Sequence, residues 1–116
     1  MIDYERAVLL LMVNNIESFN STCLRSEYFL NNNYSKLFKS LNEYYKKHQN
    51  INYIEILSED KNFNSELYLQ LTKENLPIDD WRKTLLVLEN EVVNAYKYHW
   101  AKKLTTANFT FELVKC

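Results

Sequence analysis

The stretch that decides the fold is residues 81–104, WRKTLLVLENEVVNAYKYHWAKKL. It contains neither glycine nor proline, and Asp79-Asp80 just before it offers an N-cap. Read as one helix, it is about 36 Å long at 1.5 Å per residue, more than one compact domain of this size needs. At about 100° per residue, Trp81, Leu85, Leu86, Leu88, Val92, Val93, Tyr96, His99, Trp100 and Leu104 cover about half the helix circumference. Packing on a single small core takes a stripe nearer 100° wide. The width therefore predicts that this helix touches its own core and a second surface. Leu85, Leu88, Val92, Tyr96 and Trp100 are the candidate protein-interface residues. The plain alternative is a helix well buried within its own domain. On the interface reading, changing Leu85 and Val92 together to Asp yields a monomer that keeps its helical content.

The rest of the chain fits a helical frame. It has 116 residues and contains no glycine and one proline, which is one domain's worth of chain. Without glycine there is no phosphate-cradling loop, dinucleotide fingerprint or nucleophile elbow, and tight primed hairpins are disfavoured. Hydrophobic residues make up 47% and aromatics 15%, enough to bury a core and to argue against disorder. The fold class expected is all-α, a compact globular helical bundle with a long C-terminal helix that begins a helical hairpin. Residues 1–104 form the domain. Residues 105–116 are a tail, with Phe109, Phe111 and Leu113 alternating almost as in a strand, a frayed helix being equally compatible, or else the start of a second hairpin arm or a linker.

Along the chain, a first helix is expected over residues 4–13, capped by Asp3, apolar almost all round and so central to the core. A weakly periodic piece follows over 16–24. Tyr34, Leu37, Phe38, Leu41 and Tyr45 make one stripe of a helix over 34–48. Asn52 caps a short helix with Ile54, Ile56 and Leu57 inward. Asn64 or Ser65 opens another, with Leu67, Tyr68 and Leu71 inward, ended by Pro77.

Charge and cysteines narrow the function classes. Lys+Arg is 14 and Asp+Glu is 15, a formal net charge of -1, so the chain lacks the basic excess of a non-specific nucleic-acid binder. Lys36, Lys39, Lys46 and Lys47, and then Lys97, Lys102 and Lys103, are interleaved with Tyr44, Tyr45, Tyr98 and Trp100. These clusters are read as solvated faces in preference to base-stacking platforms. The two cysteines, Cys23 and Cys116, are expected as free thiols. The apolar run at 7–13 is shorter than the roughly 20 residues a membrane span needs, and no secretory signal is visible, so a cytoplasmic compartment and no membrane partner are expected.

No constellation points to catalysis. His48 and His99 lack partners at metal-ligand spacing. Glu59-Asp60 and Asp79-Asp80 lie in loop or cap positions, and Glu89 and Glu91, two apart, face different ways. No catalytic, metal or cofactor site is assigned, and the chain is expected not to be an enzyme by itself.

The order of motifs carries a resemblance. Glu5-Arg6-Ala7-Val8-Leu9 opens the first helix. Leu24 and Glu27-Tyr28-Phe29 follow, then Leu37-Phe38 and Leu41 with Tyr44-Tyr45, then the short helix from Asn52. Tyr68-Leu69-Gln70-Leu71 and the long helix from Trp81 come last. This succession resembles the N-terminal domain of DnaB-family replicative helicases over nearly the whole chain. Leu10 and Phe63-Asn64 stand where that family often has glycine, and Asn52 where it usually has an acid. The resemblance implies a non-catalytic interaction domain of an ATP-dependent DNA helicase whose motor lies outside this sequence. It implies self-association, as a dimer or hexameric ring, into a collar. It also implies docking of primase and a helicase loader, with DNA met only indirectly. The alternatives are a stand-alone small helical protein that regulates a replication component, and a helical DNA-binding module.

Overall fold

The computed structural model describes residues 2–74 and 78–103. Every regular element among them is helical: α1 (Tyr4–Val13), α2 (Ser18–Ser21), a 3-10 turn (Ser26–Tyr28), α3 (Asn32–His48), α4 (Tyr53–Glu59), α5 (Ser65–Lys73) and α6 (Trp81–Lys103). The all-α class and the long last helix stand as expected. The tail from residue 105, whether strand, hairpin arm or linker, lies outside the described residues.

Helix α1 is the centre. Asp3 caps it, its carboxylate accepting from the Arg6 N–H at 3.1 Å, and Val8 through Val13 are six consecutive buried residues. A helix surrounded on this scale has no polar face to spare, which is why its sequence is apolar all round. Helices α3, α5 and α6 pack against it. At one end of the core, Phe38 lies between Phe29 and Phe19, at ring separations of 5.0 and 6.1 Å, and Phe19 meets Tyr45 at 5.7 Å. Such tilted pairs add to the area these rings bury.

The stripe on α3 faces inward as its period predicts, with Leu37, Phe38, Leu41 and Tyr45 buried and Tyr34 packed at the core edge. The helix begins two residues earlier than expected because the Asn31 side chain accepts from the Asn33 and Tyr34 N–H groups. On α4 only Ile56 is buried, while Ile54 is 65% and Leu57 36% exposed, which corrects the inward assignment of all three. In a helix, residues 54 and 56 are about 200° apart and cannot share a face. On α5 Leu71 is buried, and Leu67 and Tyr68 are partly so.

Asparagine does much of the work that glycine does elsewhere. Asn31, Asn52 and Asn64 are N-caps. At the end of α1, the Asn14 amide donates to the carbonyls of Leu10 at 2.8 Å and Leu71 at 3.1 Å, and the Asn15 amide to that of Leu11 at 2.9 Å. These bonds satisfy carbonyls that a helix end leaves open. The C-cap of α3 is Gln49, in the left-handed region at φ 58. A side chain with a Cβ is strained there, whereas glycine is not. Gln49→Gly is therefore expected to stabilise the chain by about 0.5–1 kcal/mol, read as a higher urea midpoint at unchanged slope.

Candidate functional site

Helix α6 lies along α1 and divides lengthwise. Leu85, Val92 and Val93 are 3%, 1% and 3% exposed and belong to the core. Leu88 and Tyr96 pack partly buried against it. The Tyr96 ring lies tilted against that of Tyr28 at 5.2 Å and meets Trp100 edge-on at 6.3 Å. Trp100 is 36% exposed. The five candidate interface residues thus separate: Leu85 and Val92 are committed to their own chain, Leu88 and Tyr96 sit at its margin, and Trp100 borders solvent.

The apolar residues that do face out are Leu86, Val87 and Tyr98, at 62%, 60% and 69% exposure. The breadth of the apolar arc was legible in the sequence, but its assignment was inverted at Leu85 and Val92. Position 85 and its i+7 neighbour 92 lie on the line that meets α1, and positions 86 and 87 turn away from it. The exposed residues fall in two places, Leu86-Val87 near the start and Tyr98 with Trp100 near the end. Asn90 and Asn94 lie exposed between them.

One polar residue on the inner line was missed. Glu89 is 2% exposed. Its carboxylate accepts from the Thr22 hydroxyl at 2.5 Å and from the Cys23 N–H at 3.1 Å. The signal was an acid at i+4 from Leu85 and i−4 from Val93, interrupting an otherwise apolar line. A buried carboxylate is tolerated only when hydrogen-bonded. Here it ties the middle of α6 to the corner after α2. Cys23 itself is disulfide-bonded, which corrects the expectation of a free thiol there; Cys116 lies outside the described residues.

The charged features sort more plainly. Arg6 on α1 forms a two-pronged ion pair with Glu74 after α5, at 2.8 and 2.6 Å. Hydrogen bonding to the guanidinium holds the Glu74 carboxyl below the ordinary glutamate value and raises the Arg6 value. Lys46 donates to the Phe19 carbonyl at 2.9 Å. Tyr44 and Tyr45 are buried, so the α3 lysines carry no exposed ring to stack on a base. Lys36 and Lys39 line a cleft of about 620 Å³ together with Glu43 and Asp60, a wall of mixed sign. The ring of His48 lies 4.3 Å from that of Tyr44, and His99 stands edge-on to Trp100 at 5.6 Å. Among the described residues no three His, Cys, Asp or Glu side chains are grouped to hold a metal ion, and no helix is long and apolar enough to cross a membrane.

In comparisons with known proteins, no family model, no curated protein and no solved structure matches this chain.

Two outcomes follow from these contacts. Glu89→Ala strands the Thr22 hydroxyl and the Cys23 N–H and is expected to cost about 1–3 kcal/mol, measured by urea denaturation. The Arg6–Glu74 pair contributes fully above the unfolded glutamate value of about 4.3. Its contribution is lost as pH falls through the lower folded value. Unfolding midpoints of the wild type and Glu74→Gln are therefore expected to differ at pH 7 and to converge in acid.

Proposed function

We propose that this chain is a non-catalytic interaction domain of a replicative DNA helicase, which self-associates through α6 into the collar of the ring. The observation that carries the reading is the division of α6. A 23-residue helix spends one line of apolar residues on its own core and still presents Leu86, Val87, Tyr98 and Trp100 outward. Exposed apolar side chains at both ends of one helix, two near its start and two near its end, offer a partner contacts along its length. The succession of α1, the Tyr28-Phe29 turn, α3, two short helices and a long last helix follows the order of the resemblance, which supplies the identity of the assembly. Primase and a loader are the further partners it implies, through surfaces other than α6.

A nucleic-acid module is the second reading, and one feature favours it: Tyr98 is well exposed, and Lys97, Lys102 and Lys103 share its end of α6. Ring stacking beside cations suits single strands. The absence of a net positive field weighs against it.

Light scattering across micromolar concentrations tests the first reading. The wild type is expected to give a dimer or larger species, and Leu86→Asp with Val87→Asp a monomer of unchanged helical content. Leu85→Asp with Val92→Asp, by contrast, places two charges in the core and is expected to unfold the chain. A wild type of monomer mass at every concentration overturns self-association.

A further inference from the structure

Three clefts open along one side of α3, and they share lining residues. The largest, about 620 Å³, lies between α3 and the corner that joins α4 to α5. It has Ser40, Glu43 and Asp60 in common with a cleft of about 160 Å³ that reaches His48. It has Asn33 and Asn64 in common with a third, of about 280 Å³, that reaches Gln70 on α5. Together they make one groove that follows α3 from Asn33 to His48, about 22 Å at 1.5 Å per residue.

The charges on this groove are unspent. Lys36, Lys39, Glu43 and Asp60 are exposed and line the largest cleft, yet no ion pair among the described residues includes any of them. Lys39 and Glu43 are four apart on α3, but with the lysine first, the order that pairs less well. The two lysines precede Glu43 along the helix and Asp60 faces it, so the sign changes along the groove from positive to negative.

The dimensions select an occupant. From Asn33 to Glu43 α3 rises about 15 Å, so the largest cleft averages about 40 Å² in section. An extended strand takes about 4.8 Å by 10 Å, whereas a helix with its side chains is about 10–12 Å across. The side-chain amides of Asn33, Asn62 and Asn64 on the cleft wall supply N–H donors for the carbonyls of such a strand. In an extended chain, residues i and i+2 share a face about 6.6 Å apart. Along α3, Lys39 and Glu43 are about 6 Å apart.

We propose that this groove docks an extended peptide segment of a partner protein. An acidic side chain of the peptide meets Lys36 and Lys39, and a basic side chain two residues away meets Glu43 and Asp60. Paired charges of opposite sign set the register of the segment, and a segment of one sign is repelled at one end. The inference goes beyond the collar reading and does not use α6, so it holds whether or not the chain self-associates.

The test measures fluorescence anisotropy of end-capped, labelled heptapeptides with the full chain at about 50 mM salt, where exposed charges are little screened. STDTKTS and STKTDTS carry the acid and the base two apart in the two possible orders. STDTTKS carries them three apart, on opposite faces of an extended chain, and STSTSTS carries neither. One of the first two is expected to bind at least about tenfold more tightly than both controls. Lys36→Glu with Lys39→Glu is expected to remove that preference at unchanged helical content, and so is salt raised to about 0.5 M. Should that variant fail to fold, Lys36→Gln with Lys39→Gln supplies the comparison. Equal binding of all four peptides, no binding of any, or a preference that survives loss of the lysine charges overturns the proposal. A labelled oligothymidylate that binds where the peptides do not, and is lost with the same lysines, overturns it in favour of a nucleic-acid groove.

Discussion

Helix α1 must be covered on nearly every side. Six consecutive buried residues, Val8 to Val13, leave it no stable state in water, and the arrangement of the other helices answers that constraint. Helix α6 lies along it, α5 closes another side, and α3 brings the ring cluster of Phe19, Phe29, Phe38 and Tyr45 against its flank. Polar contacts hold the ends of the same helix in register. Glu5 accepts from the N–H groups of Leu30 and Asn31 at 2.9 and 3.1 Å, which sets the start of α3. Arg6 holds the end of α5, and Asn14 bonds to α5 through the Leu71 carbonyl.

The lack of glycine shapes this solution. Helix ends need partners for open N–H and carbonyl groups, and a chain without glycine cannot rely on the relaxed left-handed turn. Asparagine side chains take the role at both kinds of terminus, Asn31, Asn52 and Asn64 for open N–H groups and Asn14 and Asn15 for open carbonyls. At Gln49 no such substitute exists, and the backbone enters the left-handed region with a full side chain attached.

On α6 the competing demands of core and surface are visible residue by residue. Leu85, Val92 and Val93 serve the first; Leu86, Val87 and Tyr98 are left to the second. Glu89 introduces a directional bond where packing alone would allow the long helix to slide, because a carboxylate pinned by a hydroxyl and an amide accepts few alternative positions. The segment after α2 is thus placed by a residue 67 positions away.

The sequence by itself determined the helical class, the bounds of α1, the inward stripe of α3 and the Asn52 cap, because each depends on period and on bonds within a few residues. It also determined that α6 carries more apolar surface than one line of contact uses. Only the tertiary structure decided which part of that surface is spent. The phase of an amphipathic helix with a broad apolar arc is set by what it packs against, so Leu85 and Val92 went to α1 and Leu86 and Val87 to the outside. Ile54 and Leu57 stayed exposed for the same reason, since a seven-residue helix offers the core one line only. The partners of Glu89 were illegible because Thr22 and Cys23 are distant from it in sequence, and a bond between remote residues exists only once the fold has brought them together.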